Sequence, residues 1–162
     1  MRLGVIADLH GNLPALERVL ADMGEVDALA CAGDVVGYNP WHAECVTAMC
    51  DPAESAAVPD RLAAVVGSAG VPTVQGNHDR AVASGRAPGF NAMARAGVEH
   101  ARAQLDDDQI AWLADLPIEG TAPGGNVKVV HGHPDDPDHY TRPAEFGPAL
   151  LDGEDLLVMG HT

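Results

Sequence analysis

The chain has 162 residues, 46% hydrophobic and 20% charged, which fits one globular domain and excludes a disordered segment. Aromatic residues are only 4%, so Ala, Val and Leu must build the core. The formal net charge is −15, from 24 acidic and 9 basic side chains, and with no basic stripe to offset it a nucleic-acid partner is disfavoured.

Leu3 to Ala7 is a continuous apolar run ending at Asp8, the pattern of a buried strand. Asn12 as N-cap and Pro14 in the first turn open a helix that runs to Met23, with Leu16, Val19, Leu20 and Met23 on one apolar face. Gly24 closes it, and Val26 to Ala32 forms a second strand ending at Gly33-Asp34. This strand–helix–strand unit carries its polar residues at the carboxyl ends of strands, where open α/β sheets place their sites. Gly37 to Pro40 is a loop, Trp41 to Cys50 a helix, and 51–60 a surface connection. Arg61 to Ser68 predicts a helix leading through Gly70 into a short strand, Val71 to Val74.

Behind that strand stands Gly76-Asn77-His78-Asp79, ligand-competent side chains following a glycine turn. An amide oxygen beside an imidazole suits a hard or borderline divalent metal next to a proton-transfer group. Arg80 to Ser84 then reads as a short helix and 85–89 as a loop. Asn91 caps a helix from Ala92 to Leu105, and Asp106 caps another from Asp107 to Leu116. The run Asp106-Asp107-Asp108 is read as a cap with first-turn carboxylates facing the helix dipole, not as a metal loop. Ile118 to Thr121 and Asn126 to Val130 are strands around a Pro-Gly-Gly turn. The segment 134–148 is a long polar loop bordering the presumed site, and Asp155 to Met159 is the last strand.

Five strand ends therefore carry Asp, His or Asn: Asp8 and His10, Asp34, Asn77 with His78 and Asp79, His131, and His161. His131 is preferred to His133 because it directly follows its strand. His42, His100 and His139 have no motif support and are expected in solvent. Cys31, Cys45 and Cys50 are odd in number and lack C-x-x-C spacing, so neither a disulfide framework nor a zinc ribbon is indicated. The acids are spread along the whole chain, which favours adaptation to a salty cytoplasm over an acidic face for a cationic partner. No signal-peptide pattern and no apolar run of membrane length is visible, so a cytoplasmic location is expected and no membrane contact.

The ordered set Asp8-x-His10, Gly33-Asp34, Gly76-Asn77-His78-Asp79, His131-Gly132 and Gly160-His161 closely resembles the calcineurin-like metallophosphoesterase superfamily. The flanking Asp-Leu-His-Gly-Asn-Leu-Pro-Ala-Leu and Gly-Asp-Val-Val-Gly-Tyr stretches look like its small bacterial and archaeal branch. The resemblance implies an α/β sandwich of two mixed sheets flanked by helices. It also implies two divalent transition-metal ions (Mn, Fe, Ni, Co or Zn). Asp34 matches the bridging carboxylate, Asp8 and His10 the first metal's ligands, and Asn77, His131 and His161 the second's. His78 matches the non-ligand histidine that stabilises the transition state or protonates the leaving oxygen, with Asp79 orienting its ring. Two such cations about 3.5–4 Å apart clamp a phosphoryl group and activate water as hydroxide.

The family's last motif is Gly-His-x-His, and the second histidine falls just beyond Thr162, so the single domain 1–162 is expected to be C-terminally incomplete, with its last strands missing. Asn12 is a substrate-contact candidate beside its capping role. His133 stands open between substrate and surface, and Arg142 between a bidentate phosphate contact and a surface arginine. The expected activity is hydrolysis of a small-molecule phosphodiester or nucleotide-type ester; homo-oligomerisation stays open. The alternative is a non-catalytic interaction scaffold on the same fold, against which the presence of His78 speaks.

Overall fold

The computed structural model describes residues 1–161. Two sheets stack on one another and six helices accompany them. In the first sheet β1 (Leu3–Ile6) runs parallel to β2 (Ala28–Cys31), with Leu3 opposite Ala28 and Ile6 opposite Cys31. The second sheet has the order β3 (Glu119–Thr121), β4 (Val127–Val130), β5 (Leu156–Met159). β3 pairs antiparallel and β5 parallel to β4, so this sheet is mixed while the first is purely parallel.

The period-two alternation of strands divides the core. Ile6, Leu29 and Cys31 face the helices, where they meet Leu16 and Leu20 of α1 (Leu13–Asp22) and Met49 of α2 (His42–Cys50). Leu62 of α3 (Asp60–Val66) and Val82 of α4 (Asn77–Ser84) join the same cluster. Val98 of α5 (Ala92–Gln104) and Leu113 of α6 (Asp107–Asp115) complete it. All six helices thus draw on one core behind the first sheet. Ala30 and Ala32 point the other way and meet Val74, Ala122 and Val129 between the sheets. Small side chains on the first sheet let the second approach closely. No aromatic side chain is among the buried core residues, as the composition required.

The capping residues act as expected. Asn12 Oδ1 accepts from Ala15 N (3.2 Å), Asn91 Oδ1 from Ala94 N (2.9 Å) and Asp106 Oδ1 from Gln109 N (2.8 Å). Three expectations are corrected. The strand over Val71–Val74 shrinks to one parallel bridge between Thr73 and Cys31. Pro72 has no N–H to give, and the next backbone donor but two, Gln75 N, turns away to Pro117 O (2.7 Å). The helix expected from Arg80 begins at Asn77, with Gly76 as N-cap. His42, expected in solvent, is fully buried, its Nε2 3.2 Å from His100 Nδ1 and its Nδ1 accepting from Gly37 N at 3.4 Å. Burial, then the His100 charge, pushes the His42 ring down to about 4, so it is neutral and able to accept.

Among the described residues no helix is long and apolar enough to cross a membrane. Because Asp106 is engaged in capping, Asp106→Ala should lower unfolding free energy by about 1 kcal/mol in urea titration. Its metal stoichiometry should match that of the unsubstituted chain; a lost equivalent of metal would show the acidic run to be a ligand loop after all.

Candidate metal centre

Four strand ends and the first turn of α4 converge on Asp34. Its carboxylate is buried, and Oδ1 accepts the His78 backbone N–H at 2.8 Å. Oδ2 lies 3.3 Å from His131 Nε2 and 3.7 Å from His10 Nε2. Asn77 Oδ1 is 3.1 Å from the same His131 nitrogen. Two groups able to hold a cation follow, His10 with Asp34 and His78, and Asp34 with His131 and His161, and they share Asp34. In each group the potential ligand atoms lie within 4.8 Å of one another.

The backbone is shaped around these side chains. Among the described residues the non-glycine positions with positive φ are Asp8 (54°), His10 (50°), Asp34 (54°) and His161 (50°), all of them candidate ligands. Left-handed backbone costs an L-residue about 1–2 kcal/mol, and such strain gathers where a site needs it. Two glycines let the segments touch. A Cβ on Gly76 would sit 2.7 Å from Asp34 Cγ, and one on Gly33 would sit 2.8 Å from Gly76 N and 2.9 Å from His131 Nδ1.

The ring orientations follow from backbone carbonyls. His131 Nδ1 donates to Ala32 O (2.8 Å) and His10 Nδ1 to Val36 O (3.3 Å). Both rings therefore aim Nε2 at Asp34, the arrangement that fixes a metal-binding tautomer. Burial raises the Asp34 carboxyl, but the hydrogen bond from His131 and the charges of His131, His10 and His78 outweigh it and hold it below its ordinary range. His131 mirrors this: burial lowers it, and the Asp34 hydrogen bond and charge carry it up to about 9.

His78 is buried, with Nδ1 free of any hydrogen-bond partner. Burial pushes its ring down to about 4 despite the Asp34 charge, so it is neutral near pH 7. Asp79 does not orient this ring, contrary to expectation. Its oxygens accept from Gly76 N (3.0 Å) and Val36 N (3.1 Å), so it ties the first turn of α4 to the loop after Asp34. Burial and the nearby Asp34 raise its carboxyl to about 7.

The remaining candidates divide. Asp8 is exposed at the rim; its Oδ2 accepts from His161 N at 3.4 Å, and it belongs to neither ligand group. His133 is half-buried and takes the Asp135 N–H on Nδ1 (3.1 Å), away from Asp34. Arg142 lies beside Tyr140 in a separate surface hollow. The cleft that opens beside Asn77, His78 and His161 is lined instead by Tyr38, Arg80, Arg86, Phe90 and Tyr140, which sequence reasoning missed. Only Tyr38 carried a signal, its place in the Gly-Asp-Val-Val-Gly-Tyr stretch.

The sequence profile of the calcineurin-like phosphoesterases matches residues 1–162. An uncharacterized protein of Methanocaldococcus jannaschii is 27% identical over 99% of this chain and 61% of its own length. The crystal structure of a metallophosphoesterase from Sphaerobacter thermophilus superposes with a TM-score of 0.72 and 34% identity, covering 99% of this chain and 60% of that one. A hypothetical protein of Pyrococcus horikoshii gives a TM-score of 0.70 at 20% identity, over 98% of this chain and 68% of its own. The chain spans about three-fifths of the length of the first two.

A divalent metal taking His131 Nε2 as a ligand would have to displace the proton that its raised pKa favours there. Calorimetric titration with Mn²⁺ at pH 7 in buffers of different ionisation enthalpy should report net proton release, declining as pH rises through about 9. Buffer-independent heats would contradict it. The same raised pKa stabilises the metal-free fold below the ordinary histidine range, and this contribution fades as pH rises through about 9. Gly76→Ala, whose Cβ meets the Asp34 carboxylate, should cost roughly 3 kcal/mol in denaturant titration and empty the site of metal.

Proposed function

The chain belongs to the calcineurin-like phosphoesterase family, and we propose that it hydrolyses a phosphodiester or nucleotide-type phosphate ester with two divalent transition-metal ions. The observation that carries this reading is one buried carboxylate, Asp34, faced by imidazole Nε2 atoms from two different strand ends, His131 and His10. Such a carboxylate is what holding two cations close together requires. The donor set fits the ions: His131 and His10 present Nε2, Asn77 an amide oxygen and Asp34 a carboxylate oxygen toward one space. A mixed N/O set suits Mn²⁺, Fe, Co²⁺, Ni²⁺ or Zn²⁺ and disfavours Ca²⁺ and thiolate zinc. Asp34, Asn77, His131 and His161 would hold one ion, and Asp34 and His10, with Asp8 at the rim, the other.

When bound, such a pair supplies Lewis acidity toward the phosphoryl oxygens and lowers the pKa of water. The protein does the rest. Asp34 is locked by the His78 N–H, so its second oxygen cannot swing away from the ligand space. The Nδ1–H bonds to Ala32 and Val36 keep both rings aimed inward before any substrate arrives. His78 is neutral, so it acts on the phosphoryl group as a hydrogen-bond donor rather than as an imidazolium. Its ring lines the cleft beside Asn77 and His161, where a phosphoryl group would be bound. A small ester is favoured over nucleic acid, because the cleft is confined and the −15 chain offers no basic track along which a polymer could lie.

Hydrolysis of bis-p-nitrophenyl phosphate should appear with Mn²⁺, Co²⁺ or Ni²⁺ and vanish with chelator. No turnover of any mono- or diester in a panel, by protein that holds metal, would remove the enzyme reading in favour of a scaffold. His78→Gln should lower kcat by about 10²–10³ while metal content stays the same; parallel loss of metal would instead make His78 a ligand.

A further inference from the structure

The chain has two Trp, two Tyr and two Phe. Rings offer the largest apolar area per side chain, yet none is among the buried core residues. Both tyrosines and Phe90 instead line one cleft of about 700 Å³ beside the candidate metal centre. Tyr38 and Phe90 each lie 4.7 Å, centroid to centroid, from the His78 ring, and Tyr38 remains 44% exposed. Tyr140, from the late loop, stacks on His161 at 3.7 Å and is 62% exposed, so its other face looks outward. Open ring faces in a confined cleft suit a flat unsaturated ring as ligand.

The charges in the cleft are asymmetric. Two guanidinium groups, Arg80 and Arg86, line it. Arg80 is taken by Asp138, which leaves that wall neutral overall. Arg86 is anchored through its backbone N–H to Ala81 O (3.2 Å), and its side chain is exposed with no carboxylate partner among the described residues. It is the one cation of the cleft left open for an anion, and its planar fork matches a phosphate.

Resting on the phosphoesterase reading, we propose that the cleft selects a nucleotide-type ester with two anionic groups. One phosphate sits at the candidate metal centre, the base lies against the exposed rings of Tyr38 or Tyr140 and the half-buried Phe90, and Arg86 receives the second phosphate.

Two probes differing by a single phosphate separate this from general esterase activity. They are thymidine 5′-(p-nitrophenyl phosphate) and the same ester bearing a 3′-phosphate, both followed by p-nitrophenol release from the Mn²⁺-loaded full chain. The 3′-phosphorylated ester should show a KM about tenfold lower, and Arg86→Gln should bring the ratio of the two KM values near one. Phe90→Leu should raise KM for both thymidine esters more than for methyl p-nitrophenyl phosphate, which lacks a base. Equal KM values for the two esters, or a tenfold ratio that survives Arg86→Gln, would overturn the assignment of Arg86. Calorimetric binding of thymidine 3′,5′-bisphosphate needs no turnover. If no ester is hydrolysed, about tenfold weaker binding to Arg86→Gln still supports the subsite while the hydrolytic reading fails, and equal binding removes both.

Discussion

A carboxylate taken out of water is costly unless charge and hydrogen bonds replace its hydration, and Asp34 is nearly fully buried. Everything around it serves that replacement. One oxygen takes the His78 backbone N–H, and the other faces His131 and His10. The bond to His78 fixes where α4 begins, and Gly76 must lack a side chain because its Cα passes against the Asp34 carboxyl. The second sheet is drawn in as well, through His131 at the end of β4, whose Nδ1 reaches the Ala32 carbonyl of the first. One buried anion thereby sets the mutual positions of two sheets and a helix.

What was legible in the sequence is what is local. The caps at Asn12, Asn91 and Asp106 are side chains bonding to backbone three residues away, and they could be read from residue type and spacing alone. The strand-end position of Asp34, His131 and His161 was legible for the same reason, an apolar run stopping at a polar residue. Asp79 shows the limit. Beside His78 in sequence, it suggested a paired ring; three residues after Gly76, it closes the N-terminus of α4 instead. Nor could spacing reveal that His42 is buried, since its partner His100 stands 58 residues away on another helix. The cleft escaped for the same reason: Tyr38, the α4–α5 loop that carries Arg86 and Phe90, and Tyr140 are distant in sequence and only tertiary packing unites them.

The surface and the site obey opposite electrostatic demands. The surface carries dispersed carboxylates, whereas the centre gathers imidazoles, one amide and the buried Asp34 carboxylate. His78 and His42 are both held neutral by burial, so their nitrogens serve as directional donors and acceptors rather than as ions. In a strongly negative molecule a small polar pocket that took an anionic ester would have to draw its positive potential from local cations, not from the general field.

The glycine seam at Gly33 and Gly76 has a consequence for how the molecule assembles. Contacts across it join very distant parts of the chain, with 99 residues separating Ala32 from His131 and 153 separating Asp8 from His161. Closing loops of that length carries an entropic toll before any contact repays it. The strand–helix–strand unit of the first 31 residues can collapse on nearby partners, but the centre exists only after the segment from β3 to β5 has docked. Loop-closure entropy thus weighs against early completion of the site, where the left-handed backbone at Asp8, His10, Asp34 and His161 adds its own cost.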